Sequence, residues 1–245
     1  MQFLQPDWLA PANVRALVTT RQGGASLPPY DSLNLGDHVG DDPAAVAGNR
    51  KILRALLPAE PKWLKQVHGT VVATADQLNE AQEADASVAF KAGVVSAVLT
   101  ADCLPVLFCN RQGTSVAAAH AGWRGLASGV LEETVKAMRC DPADILAWLG
   151  PAIGPQAFEV GPEVRETFMA DLPQTEAAFT PGQPGKWLAD IYQLARLRLA
   201  RAGVSQVHGG GLCTYTDAER FYSFRRDKTT GRMASLIWLQ GVGNP

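Results

Sequence analysis

Short β-branched and aliphatic runs, each closed by turn-forming residues, recur along almost the whole chain and rule out a helical bundle. They fall at residues 14–19, 63–67, 94–100, 104–109, 114–119, 145–149, 221–224 and 235–239, with lengths and residue types that predict strands. Helical candidates lie between them. Residues 43–57 begin with Asp42 as a cap and Pro43 in the first turn. Residues 126–138 place Val130, Leu131, Val135 and Met138 on one face. Residues 187–202 repeat Leu188, Ile191, Ala195 and Leu199 at helical spacing and close at Gly203. Strands interspersed with helices predict an α/β class, a layered α/β sandwich with mixed β-sheets and outer helices.

The chain has 245 residues, within the range that α/β folds cover as one unit, and 47% apolar residues supply a large core. Gly and Pro clusters at 23–24, 28–29, 150–155 and 181–185 mark turns, but none extends into a linker and no fixed-period repeat is present. A single domain over 1–245 is therefore expected. A formal net charge of -2 leaves no global basic field, which argues against a nucleic-acid partner. The most apolar run, 93–101, is far shorter than the roughly 20 residues of a membrane-crossing helix, and residues 1–14 lack both a basic leader and an apolar stretch. A cytoplasmic protein without membrane contact is expected. A monomer is expected as well, because the pattern shows neither a heptad seam nor a long exposed apolar helix. Cysteines at 103, 109, 140 and 213 show no CxxC pairing and read as reduced thiols.

Three polar side chains stand where strand-like runs meet small-residue turns. His68 ends the run 63–67 ahead of Gly69, which can turn without a Cβ clash. Cys103 follows Asp102 between two apolar strands, and His120 closes a small-residue strand just before a Gly-flanked corner into a helix. Each alone is ordinary core material, since cysteine is often buried and a lone histidine is usually a satisfied core residue. Their shared context at the ends of neighbouring strands makes convergence plausible. Two chemistries compete if they converge. Two imidazoles and a thiolate make a three-ligand zinc centre with a fourth position for water or substrate. The alternative is a cysteine nucleophile activated by a histidine. Spacing does not separate them, and it matches no compact zinc-finger pattern.

The segments Lys65-Gln-Val-His-Gly69, Thr100-Ala-Asp-Cys-Leu-Pro-Val106 and Ala119-His-Ala-Gly-Trp-Arg-Gly125 resemble the signatures of the YfiH-like family, described both as laccase-like polyphenol oxidoreductases and as purine nucleoside phosphorylases. The likeness runs through Ser32-Leu-Asn-Leu-Gly36, Gly150-Pro-Ala-Ile-Gly-Pro155, Phe224-Arg-Arg226 and Thr230-Gly-Arg232. The resemblance implies an α/β sandwich in which His68, Cys103 and His120 bind one zinc in a surface cleft. Purine nucleosides and inorganic phosphate are the implied partners. The implied activities are phosphorolysis of adenosine, inosine, guanosine and methylthioadenosine, and deamination of adenosine. Phe224 stands where many relatives carry tyrosine.

Deamination would need a proton shuttle near the purine C6, for which Asp102 is the candidate; the competing role is a carboxylate that binds backbone and orients a ligand histidine. Phosphorolysis needs an anion site beside the ribose C1′, and Arg50 and Arg225 are the candidate phosphate or ribose contacts, against the ordinary role of a solvated surface arginine. His38 and His208 are read as local loop residues, and Trp123 as packing or a base-stacking ring. Two alternatives from other classes remain. A copper-dependent polyphenol oxidoreductase would suit two histidines and a cysteine, but four histidines in the whole chain are too few for several copper ions. A regulatory or peptidoglycan-precursor-editing protein would use zinc only to staple strands, with the fourth coordination position closed.

Overall fold

A computed structural model describes residues 3–241. Its strands are β1 (Phe3–Leu4), β2 (Val14–Thr19), β3 (Val72–Thr74), β4 (Ala86–Ala89), β5 (Val95–Thr100), β6 (Leu104–Asn110), β7 (Val116–Ala121), β8 (Ile145–Leu149), β9 (Glu159–Val160), β10 (Phe179–Pro181), β11 (Trp187–Ala189), β12 (Gln206–Gly209) and β13 (Met233–Leu239). The helices are α1 (Pro43–Arg54), α2 (Trp123–Ser128), α3 (Val130–Ala137), α4 (Pro162–Asp171), α5 (Ile191–Arg201) and α6 (Phe224–Asp227). One sheet has the order β12-β8-β6-β7-β4-β3 and another β1-β2-β13-β5. The first is mixed, with parallel pairs β12–β8 and β3–β4 at its two ends. The second is antiparallel throughout.

Strand β6 explains the layering. All of its residues are buried, as expected of a central strand covered on both faces. Leu104, Val106 and Phe108 pack with Leu126, Leu131 and Leu194 of the helices. Leu107 and Cys109 point the other way, into a cluster with Val18, Val98 and Ile237 of the four-stranded sheet. On that sheet's far side, Leu236 and Trp238 join Leu53 of α1. The chain is thus the layered α/β sandwich that the alternation of elements predicts. The four cysteines are free, and burial pushes the Cys109 thiol up to about 12, which makes it an inert core group. Among the described residues, no helix is long and apolar enough to cross a membrane.

Several element boundaries differ from expectation for local reasons. The 126–138 helix is two, broken where Gly129 takes φ 99°. The 187–202 helix starts only at Ile191, where the Asp190 side chain accepts from the N–H groups of Tyr192 and Gln193. Trp187–Ala189 before it is a strand, which joins β9 and β10 in a small third sheet. Residues 221–224 form no strand: Phe221 and Tyr222 are buried against Ala101 and Met233, and Ser223 caps α6. Residues 63–67 form no named strand either: their bridging is confined to an isolated contact of Lys65 with Glu83, and Gln66 holds the Leu99 backbone through its side chain instead.

Candidate metal centre and cleft

The register of the six-stranded sheet assembles the centre. Pairing of Leu104 with Ala121 and of Pro105 with His120 sets Cys103, just before β6, beside His120 near the end of β7. Ala86 pairs with Ala119, which brings Asp85 alongside; the His120 backbone N–H donates to the Asp85 carbonyl at 2.7 Å. His68 arrives on the loop before β3. Its own backbone takes φ 61°, so the left-handed residue at this turn is His68 and not Gly69. A non-glycine residue held there costs of order 1–3 kcal/mol and needs a surrounding that enforces it.

Asp85 supplies that surrounding. Fully buried, its carboxylate accepts from the backbone N–H groups of Val67, His68 and Gly69 at 3.2, 2.9 and 2.6 Å. The same carboxylate lies 2.8 Å from His120 Nδ1, so Nδ1–H donates and Nε2 is the nitrogen left facing the cleft, with a lone pair to offer a metal once the ring is neutral. Burial would raise the Asp85 carboxyl, but the His120 hydrogen bond and the loop N–H groups hold it below the usual carboxylate value. One side chain therefore sets both histidines.

The donor atoms of His68, Cys103 and His120 all lie within 4.8 Å of one another. Cys103 Sγ is 3.7 Å from His68 Nε2, and the two imidazole rings meet edge-on with centroids 4.7 Å apart. Two ligands of a tetrahedral zinc, with bonds of about 2.3 and 2.0 Å, stand about 3.5 Å apart. Borderline-soft donors at that separation fit a metal ion of the zinc type. Gly122 leaves room for the cluster: a Cβ there would come within 2.6 Å of His68 Cδ2 and 3.1 Å of Cys103 Sγ.

Burial opposes ionisation of Cys103, but the two adjacent imidazoles outweigh it and bring the thiol down to about 6. His120 shifts upward: burial disfavours its cation, and the Cys103 thiolate and Asp85 more than restore it. Metal-stripped protein should therefore be alkylated at Cys103 by iodoacetamide with a rate that half-saturates near pH 6, against about 8.5 for an ordinary thiol. Peptide mass spectrometry across pH 5–9 measures this. A midpoint above about 8 would mean that the imidazoles do not stabilise the thiolate.

The cluster lies on the wall of a cleft of about 460 Å³, a size suited to a small metabolite. Phe158, Ile153 and Phe224 give it an apolar side, and Arg124, Arg225 and Arg232 a cationic one. Residues 15–240 match the family described as "Multi-copper polyphenol oxidoreductase laccase". The chain is 61% identical over 242 residues to the purine nucleoside phosphorylase YfiH of Escherichia coli, across 97% of this chain and 99% of that one. It belongs to the YfiH-like purine nucleoside phosphorylase family. Solved structures of similar proteins share the fold of this YfiH-like chain. A crystal structure of a Neisseria meningitidis protein superposes with a TM-score of 0.95 at 55% identity, over 98% of this chain and all of that one (100%). The crystal structure of YlmD from Geobacillus stearothermophilus gives 0.92 at 32% identity, over 98% and 97%.

The remaining sequence candidates of this YfiH-like chain separate. Asp102, at φ 91°, has both carboxylate oxygens engaged, accepting the Thr214 hydroxyl and the Arg225 N–H, each at 2.6 Å. Arg225 lines the cleft, but its Nη1 donates to the Glu159 carbonyl at 2.9 Å. Arg50 is not part of the cleft lining: it donates to Leu35 O, pairs with Asp37 at 3.2 Å and stacks on Trp63. Trp123 lines the cleft beneath the Arg124 guanidinium, and His38 reaches its rim beside Asp37. Asp85 and Arg232 are not among the sequence candidates. Asp85 carries a faint signal as an acid at the mouth of an apolar strand, and Arg232 only its place in the family-like segment Thr230-Gly-Arg232.

Proposed function

We propose that this chain is a zinc-dependent purine nucleoside phosphorylase, with His68, Cys103 and His120 as the metal ligands and inosine, adenosine, guanosine and methylthioadenosine as substrates. The observation that carries the reading is a three-donor cluster, open to a cleft that is apolar on one side and cationic on the other. The identity with the curated phosphorylase of Escherichia coli supports the choice of reaction.

In phosphorolysis an oxygen of the phosphate dianion forms a bond to ribose C1′ while the C1′–N9 bond breaks. The base leaves with that electron pair and takes up the proton carried by phosphate, giving ribose 1-phosphate and free base. When bound, zinc supplies a fixed positive charge and a Lewis acid beside the reacting atoms. The chain's own groups do the rest. Asp85 holds the His120 tautomer and the His68 turn, Asp102 ties the 214 and 225 segments to the cleft floor, and Phe158 and Phe224 offer rings against which a purine can stack.

Adenosine deamination is the weaker partner activity in this reading. It calls for a free proton shuttle, and Asp102, the acidic residue of the cleft lining, has both oxygens occupied. A copper oxidase would need several metal sites, whereas one three-donor cluster occurs among the described residues. One observation favours a second mechanism: a thiolate beside His120, itself held by Asp85, is also the arrangement of a cysteine nucleophile with its base.

Metal analysis of the purified protein, with His68→Ala, Cys103→Ala and His120→Ala assayed on inosine and adenosine with and without phosphate, separates these. The expected result is about one zinc per chain and phosphate-dependent release of base, with metal and activity lost together in each variant by at least about a hundredfold. Active metal-free protein that Cys103→Ala silences would overturn the zinc reading in favour of the thiol.

A further inference from the structure

Two half-buried arginines of the cleft wall, Arg225 and Arg232, donate from Nη1 alone and leave their Nε/Nη2 edges free among the described residues. Arg232 is the one whose stem is pinned by the 34–36 segment and which feels the charges of Cys103 and Asp102. Arg225 donates to main-chain carbonyls on the 157–159 segment, Arg124 is exposed and lies over Trp123, and His38 sits beside Asp37. Arg232 is half-buried, yet among the described residues no carboxylate oxygen lies within 4.0 Å of its guanidinium. Its hydrogen bonds run from one nitrogen, Nη1, to the carbonyls of Thr230 and Gly231 in its own chain segment, at 2.9 and 3.0 Å.

Those two bonds fix the plane of the guanidinium, which lies 6.0 Å from the Phe224 ring centre, and leave Nε–H and Nη2–H, its bidentate edge, without a hydrogen-bond partner among the described residues. The stem is fixed too. The Arg232 N–H donates to the Asn34 side chain, its carbonyl accepts from Leu35, and Gly36 clears space for it, since a Cβ there would meet Arg232 Cγ at 2.8 Å. A half-desolvated cation with a pre-oriented and unused fork is costly alone and matches the geometry of an oxyanion. Burial pulls the guanidinium pKa down while Cys103 and Asp102 partly restore it, so the group sits within electrostatic reach of the donor cluster.

We infer that Arg232 is the phosphate anchor of the cleft, receiving inorganic phosphate on its Nε/Nη2 edge beside the His68, Cys103 and His120 cluster. The assignment rests on the phosphorolysis proposed above and replaces Arg50 in the anion site. The fork orients one phosphate edge and leaves the remaining oxygens free, one of them to reach ribose C1′.

Two measurements test it. In Arg232→Met and Arg232→Lys, the KM for phosphate at saturating inosine is expected to rise about tenfold to a hundredfold, because charge-assisted bonds are lost or made monodentate, while the KM for inosine moves less than about twofold. In the wild-type protein, inorganic phosphate should slow phenylglyoxal modification of Arg232 about tenfold, read by mass spectrometry of the peptide that carries it. The second measurement does not depend on whether a variant folds. Unchanged phosphate KM in a folded variant, or modification of Arg232 at the same rate with and without phosphate, overturns the anchor while phosphorolysis stands. Protection by inosine 5′-monophosphate but not by inorganic phosphate also overturns it, since the fork would then hold a nucleotide's phosphate. Phosphate protection of Arg232 in a protein that releases no base upholds the anchor and removes the phosphorylase reading.

Discussion

Gly122→Ala should empty the proposed metal site while leaving the fold standing. Gly122 carries ordinary extended backbone, φ -62° and ψ 155°, so alanine meets no backbone penalty, and loss of glycine at a helix N-cap costs about 1 kcal/mol or less. The obstacle is local. The new methyl would stand 2.6 Å from His68 Cδ2, 3.3 Å from its Nε2 and 3.1 Å from Cys103 Sγ, well inside carbon van der Waals contact of about 3.5 Å. The His68 loop is exposed and gives way more easily than the buried strand ends, so the imidazole moves out of the cluster. Losing a supporting partner of a ligand costs 10–100-fold in metal affinity, and displacing the ligand itself should exceed about a hundredfold. Metal content by mass spectrometry after dialysis, beside a circular dichroism melt, measures both halves. A variant that keeps its full metal and its activity would show that close approach of His68 and Cys103 is not what makes the site.

The parts of the fold that show in the sequence are those whose neighbours are close in sequence or whose pattern is periodic. β6, β8 and β13 read as strands because both faces are covered and apolar residues dominate them, and β2 because aliphatic and β-branched residues recur in it although Arg15 is exposed. β9, β10 and β12 are too short for a period to register, and Trp187–Ala189 reads as helix because its leucine continues the spacing of α5. His68, Cys103 and His120 stand out as chemistry-bearing residues at small-residue turns. What supports them does not. Asp85 reaches the His68 loop and His120 only through the folded register, and Asp102 meets Thr214 and Arg225 from 112 and 123 positions away. Gly69 draws attention at its turn, but three N–H groups bound to one carboxylate place the left-handed conformation on His68. Arg50 has the look of a ligand-binding cation because nothing in the linear chain reveals Asp37 and Trp63 as its partners.

Asp85→Asn is expected to weaken metal binding and destabilise the fold together. The two side chains are nearly identical in shape, so the change isolates charge and hydrogen-bond polarity. The carboxylate now accepts four hydrogen bonds, from His120 Nδ1–H and from three consecutive backbone N–H groups. An amide has one accepting oxygen and one donating nitrogen. If its oxygen stays on His120 and the His68 N–H, its nitrogen faces the N–H groups of Val67 and Gly69, donor against donor. If it flips, His120 loses its acceptor, its Nδ1 tautomer is no longer enforced, and Nε2 is no longer held as a lone pair toward the cluster. Either way at least one buried donor is left unsatisfied, at about 1–3 kcal/mol, and the left-handed His68 turn loses its restraint. Metal affinity should fall 10–100-fold, and denaturant unfolding of the metal-stripped proteins should show a loss of about 2–4 kcal/mol. The two readouts must move together, because one carboxylate serves both the loop and the imidazole. Stability lost with metal affinity intact would mean that Asp85 only staples the 67–69 loop, and that the orientation of His120 is set by the register of β7 alone.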